Sequence, residues 1–86
     1  MTARSNRPEV RNPVLTLPAM AKVMALPTEQ RAVLYDLLSD IRTEARARAA
    51  QSLVRNKHMV YAYWAVVAVY AGHVARALRR GAGAPA

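Results

Sequence analysis

Residues 57–80 read Lys57-His58-Met59-Val60-Tyr61-Ala62-Tyr63-Trp64-Ala65-Val66-Val67-Ala68-Val69-Tyr70-Ala71-Gly72-His73-Val74-Ala75-Arg76-Ala77-Leu78-Arg79-Arg80, without a proline and with one glycine. So long a run without breakers predicts a helix, and the three arginines near its end suit the negative end of a helix dipole. At about 100° per residue, Val60, Tyr63, Trp64, Val67, Ala71, Val74 and Leu78 share one side, opposite His73, Arg76 and Arg80. That side is the expected core face. The face that should be polar carries Tyr61, Ala62, Ala65, Val66 and Val69, so the middle of the helix is apolar all round. With His73 neutral, residues 59–75 contain no charge.

Three arrangements satisfy such a helix. A membrane span is the first, but it conflicts with the many small residues, with Gly72 and His73 inside the run, and with preceding segments that would have no core without this helix. In the second, the helix is the centre of a small bundle, its far side covered by a short helix and residues 13–17. In the third, only one side is covered. Tyr61, Ala65 and Val69, at i, i+4 and i+8, then form an apolar row for a partner protein or a second copy of the chain. The tyrosines and the tryptophan suit an interface, although they are also ordinary core residues.

Upstream, Leu17-Pro18 and Leu26-Pro27 read as two helix starts, because proline is tolerated in a first turn, where its missing N–H would be unpaired. The first helix, 18–25, is short and places Met20, Val23 and Met24 on one side, so its stability must come from docking. The second starts with Thr28 as the expected cap and Glu29 in its first turn. Leu34, Leu37, Leu38, Ile41, Ala45 and Ala49 form its expected apolar stripe, with Asp36, Ser39, Thr43 and Arg46 on the far face. Glu44 and Arg48 are spaced for an exposed i,i+4 pair. Asn56 is the expected junction, since asparagine tolerates the left-handed conformation and also caps helices. Residues 1–13, with three arginines and two prolines, read as a disordered basic arm, and residues 81–86 as a disordered tail. The expectation is an all-α domain over 14–80 with one short and two long helices.

Composition narrows the function. The chain has 86 residues, 53% of them hydrophobic, no cysteine and a net charge of +8. That fits one small domain and excludes a multidomain enzyme, a disulfide scaffold and a cysteine zinc site. No apolar run follows the first seven residues, so no secretory leader is expected and the expected address is the cytoplasm. Six bases accompany all five acids in residues 1–44, whereas residues 45–86 hold seven bases and no acid. Such asymmetry suits an acidic partner, whether nucleic acid, a membrane surface or a protein.

No catalytic set is expected. Ser5, Ser39 and Ser52 have no suitable base nearby, and His58 and His73 stand too far apart to grip a metal from one helix, so neither metal nor cofactor is expected. Asp36 and Asp40 read as a solvated helix face. Nucleic acid is the rival, because clustered arginines are its electrostatic footprint. However, the 57–80 helix turns apolar after Lys57-His58, which is a poor reading helix. Loose phosphate binding by Arg4, Arg7, Arg11 and the 76–80 cluster defines the alternative, a small basic DNA-binding or nucleoid-associated protein.

At Asn12-Pro13-Val14-Leu15-Thr16-Leu17-Pro18, at Leu26-Pro27, and above all at Tyr63-Trp64, Val69-Tyr70-Ala71-Gly72-His73 and Arg76-Ala77-Leu78, the chain resembles the QseM antiactivators of rhizobial and related integrative conjugative elements. The resemblance covers roughly residues 12–78 and rests on short motifs. It implies a protein that binds and silences transcriptional activators, a LuxR-type quorum-sensing regulator and an activator of element excision, and so represses horizontal transfer. No site residue is carried over from the family. From the residues themselves, Tyr61, Ala65, Val66 and Val69 are the expected apolar contact. Arg76, Arg79 and Arg80 are expected to steer an acidic partner.

Overall fold

A computed structural model describes residues 11–83, without the side chains of 80–83. A 3-10 turn (Pro13–Thr16) leads into α1 (Met20–Met24), α2 (Thr28–Val54) and α3 (His58–Gly83), with no strand among the described residues. The all-α architecture of one short and two long helices is therefore present. The arm residues 1–10 and tail residues 84–86 lie outside the described residues, and α3 continues past its expected end at residue 80 to Gly83.

The two long helices form an antiparallel hairpin, and its turn follows from one residue. Asn56 has φ 57°, the left-handed region, and is the one residue other than glycine with positive φ among those described. Its N–H donates to the Leu53 carbonyl at 3.0 Å, and that of Lys57 to the Ser52 carbonyl at 2.9 Å. These two bonds, around a left-handed residue, make a Schellman motif that satisfies the last carbonyls of α2 and reverses the chain. Ser52 also donates its hydroxyl to the Arg48 carbonyl at 2.8 Å.

The start of α2 differs from expectation. Pro27, extended at ψ 149°, holds the cap position, and Thr28 is the first helical residue without a side-chain capping bond. Instead Thr28 Oγ1 accepts from Arg31 Nη2 at 3.4 Å, while Arg31 Nη1 donates to the Met24 carbonyl at 2.5 Å. Arg31 is buried. Its cation thus sits at the negative end of α1 and ties that five-residue helix to α2. Helix α1 is shorter than the expected 18–25, Pro18 lies in the preceding turn, and no α1 residue is fully buried.

The core is made of alanine. Ala45 (0% exposed), Ala49, Ala68, Ala71, Ala75, Ala77 and Leu78 (2%) are buried, together with Val14 from the 3-10 turn. Positions 45, 49 and 52 of α2 and 64, 68, 71, 75 and 78 of α3 follow alternating spacings of three and four, a narrow seam between two close backbones. The expected faces are corrected accordingly. On α3 the buried face is rotated by about 60° from the expected one, so Val60 and Tyr63 are exposed while Ala68, Gly72 and Ala75 are buried. On α2 the stripe ends at alanine as expected, but Leu37 and Ile41 are exposed. Small side chains win the seam because they let long backbones approach along their length.

The expected disordered arm also needs correction at its end. Asn12 is buried: its Oδ1 accepts from the Val14 N–H at 3.3 Å, and its Nδ2 donates to the His73 carbonyl at 2.7 Å. The 3-10 turn thereby packs on the C-terminal half of α3. The N-terminal half of that helix keeps Met59 (87% exposed), Tyr63, Val66 and Tyr70 in solvent.

Candidate functional site

One flank of the hairpin carries a cleft of about 180 Å³ lined by Arg42 and Arg46 of α2 and by Ala68, Val69 and Arg76 of α3. Its geometry depends on Gly72, which is buried at the helix crossing. A Cβ placed there would lie 3.3 Å from Arg42 Nε and 3.3 Å from Arg76 Nη1, so two guanidinium groups fold in over a single hydrogen atom. Among the described residues, no acid lines the cleft. Among the described residues, Arg42 and Arg46 make no hydrogen bond or ion pair.

Among the described residues Arg76 has one partner, and it is not an acid. Its Nη2 lies 2.9 Å from His73 Nδ1. A guanidinium can only donate, so Nδ1 accepts and the neutral His73 ring carries its proton on Nε2. Burial holds the His73 pKa below its ordinary value, and the adjacent Arg76 cation lowers it further. Tyr70 stands edge-on to the same ring at 5.5 Å.

The opposite flank is also basic but already neutralised in part. A second cavity of about 180 Å³ is lined by Arg48, Gln51, Ser52, Arg55, Lys57, Val60 and Trp64. There Arg48 Nε donates to Glu44 at 2.8 Å, the expected i,i+4 pair, and the guanidinium lies 5.0 Å from the centre of the Trp64 ring. Tyr63 meets Trp64 edge-on at 4.9 Å.

The expected partner-binding residues divide. Val69, 54% exposed, and Arg76 line the cleft together. Tyr61, Ala65, Val69, Gly72 and Arg76 fall within about 80° of one another around α3, so the expected row leads along the helix into the cleft. Tyr61 is exposed there and Ala65 half-buried. Val66 points elsewhere, onto the outer face with Tyr63 and Tyr70, and does not belong to the row. Arg79 is exposed one turn beyond Arg76. The Arg80 side chain lies outside the described residues.

Arg42 and Arg46 are the lining residues that sequence reasoning missed, Arg46 having been placed on a far, solvated face. Gly72 was the available signal. A glycine deep in a helix and amid alanines marks close approach by another element, here the Arg42 side chain. Among the described residues, no group of three or more His, Asp or Glu side chains gathers to hold a metal, and no helix is long and apolar enough to cross a membrane.

The fold and the cleft together define an all-helical hairpin with a basic, apolar-floored flank. Comparison with protein-family models, with curated proteins and with solved structures finds no match to the chain.

Proposed function

We propose that this chain is an antiactivator, a non-enzymatic protein that binds transcriptional activators and holds them inactive. The carrying observation is the meeting of the apolar row ending at Val69 with Arg42, Arg46 and Arg76, arginines that no acid among the described residues of the cleft neutralises. A surface that is apolar at its floor and cationic at its rim suits a protein partner with acidic and apolar side chains side by side. A small alanine core beneath many exposed valines and tyrosines supports the same reading, because it leaves the hydrophobic payload outside. The resemblance to the QseM antiactivators supplies the partner class: a LuxR-type quorum-sensing regulator and an excision activator. Binding them would repress transfer of a conjugative element from within the cytoplasm.

The test is size-exclusion chromatography of the chain mixed with a purified LuxR-type activator, at roughly 0.3 M salt to suppress phosphate-driven association. Co-elution, together with release of the activator from its operator DNA, is the expected result. No co-elution, combined with direct binding of the chain to DNA that weakens steeply with salt, would replace the reading by the DNA-binding alternative.

A further inference from the structure

We propose that the cleft over Gly72 receives the carboxylate of an aspartate or glutamate carried on an apolar helical segment of the partner protein. The proposal rests on the protein-binding reading above and specifies the chemistry of its contact.

Charge is the first ground. Arg42 Nε and Arg76 Nη1 approach the same point, each 3.3 Å from it, and Arg46 lines the same cleft. Like charges gathered this closely repel, and no described acid lines the cleft to compensate them. An anion seated between them converts that repulsion into two or three charge-assisted hydrogen bonds. The forked guanidinium matches a carboxylate in two-point geometry, which a lysine cannot do.

Shape decides between a carboxylate and a nucleic-acid phosphate. Two of the arginines, Arg42 and Arg76, converge on one point instead of following a regularly spaced backbone, and the cleft floor is Ala68 and Val69. From Val69 the row continues through Ala65 to Tyr61, about 12 Å along α3. A partner helix with an acid at one position and apolar residues one and two turns away would place the acid among the arginines and the apolar residues along the row.

Gly72 leaves open the space that Arg42 and Arg76 enter: a methyl there would lie 3.3 Å from each, so these flexible side chains would have to give by a few tenths of an ångström. The opposite flank is a built-in control, since Arg48 is already engaged by Glu44 and Trp64.

The full chain is titrated with a fluorescein-labelled helical peptide bearing one glutamate with leucines four and eight residues away, with its Glu→Gln counterpart, and with an oligothymidylate of similar length. The glutamate peptide is expected to bind at least tenfold more tightly than the glutamine peptide. Arg42→Gln and Arg76→Gln should each lose fivefold or more, and Arg48→Gln less than twofold. On binding, the His73 ring resonances should shift, because the anion engages its Arg76 partner. Equal affinity for the two peptides would overturn the proposal, as would tighter binding of the oligothymidylate; both comparisons leave the protein unmutated. If the activator co-elutes equally well with Arg42→Gln and Arg76→Gln, the cleft proposal fails while the antiactivator reading stands. If the peptide discriminates but no activator co-elutes, the reverse holds.

Discussion

Asn12 donates a 2.7 Å hydrogen bond to the backbone carbonyl of His73, sixty-one positions later in the chain. This bond, with Val14 buried beside it, is how the N-terminal turn is fastened to α3. Asn12→Ala removes both the bond and the cap on the 3-10 turn and should destabilise the domain by about 1–2 kcal/mol. For a domain of this size that lowers the melting temperature by roughly 5–15 °C, measurable by circular dichroism. An unchanged melting temperature would mean that the turn contributes nothing to the fold.

The hairpin turn makes an opposite pair of predictions. Asn56 occupies the left-handed region at φ 57°. Asn56→Gly should leave stability equal or raise it by a few tenths of a kcal/mol, whereas Asn56→Val should lower it by about 1–2 kcal/mol because of its branched Cβ. Urea midpoints of the two variants, measured side by side, check the sign.

An alanine seam is intolerant of volume. Ala45, with no exposed surface, sits in the seam between α2 and α3. Ala45→Leu adds three carbons with nowhere to go and should cost about 1–3 kcal/mol. By contrast, Leu37→Ala on the exposed side of α2 should change stability by less than about 0.5 kcal/mol. Were Leu37 part of the core, Leu37→Ala would instead cost about 2–5 kcal/mol.

Val69→Asp separates binding from folding. Val69 is exposed at the cleft, so the substitution should abolish association with an acidic partner while shifting the melting temperature by no more than about 2–4 °C. Unfolding of this variant, seen as loss of far-UV helical signal, would make Val69 a core residue and remove the row from the interface.

Acid should loosen the domain through His73. Burial, and then Arg76, hold its folded pKa below 6.5, the value appropriate to the unfolded chain. Below about pH 6.5 the unfolded state therefore takes up a proton before the folded one, so this contribution to stability is complete above that pH. It is lost as pH falls through the folded value. Melting temperature should fall between pH 7.5 and 5, and His73→Gln, which keeps an acceptor for Arg76, should flatten that slope.

Much of the architecture was legible in the order of residues. Scarce breakers, two Leu-Pro steps and one asparagine between long helical stretches were enough for a short helix and two long ones, since these are local backbone preferences. The junction at Asn56 belongs to the same class: few residues accept positive φ. The Glu44–Arg48 pair likewise follows from helical spacing alone. Which faces of the helices met was not local. Ala45, Ala49 and Ala71 stood on the expected faces and did enter the seam, but Leu37, Ile41, Val60 and Tyr63, expected beside them, did not, because two helices 26 and 27 residues long gain more from close backbone approach than from burying a few large side chains. That choice rotated α3, exposed Val60 and Tyr63, and carried Arg42 across the crossing to fold against Gly72 beside Arg76. The sequence by itself determined the helices, their turn and the excess of positive charge in the second half of the chain. Only the tertiary structure decided that three arginines from two helices would share one cleft, because residues thirty positions apart become neighbours only once the seam sets the register.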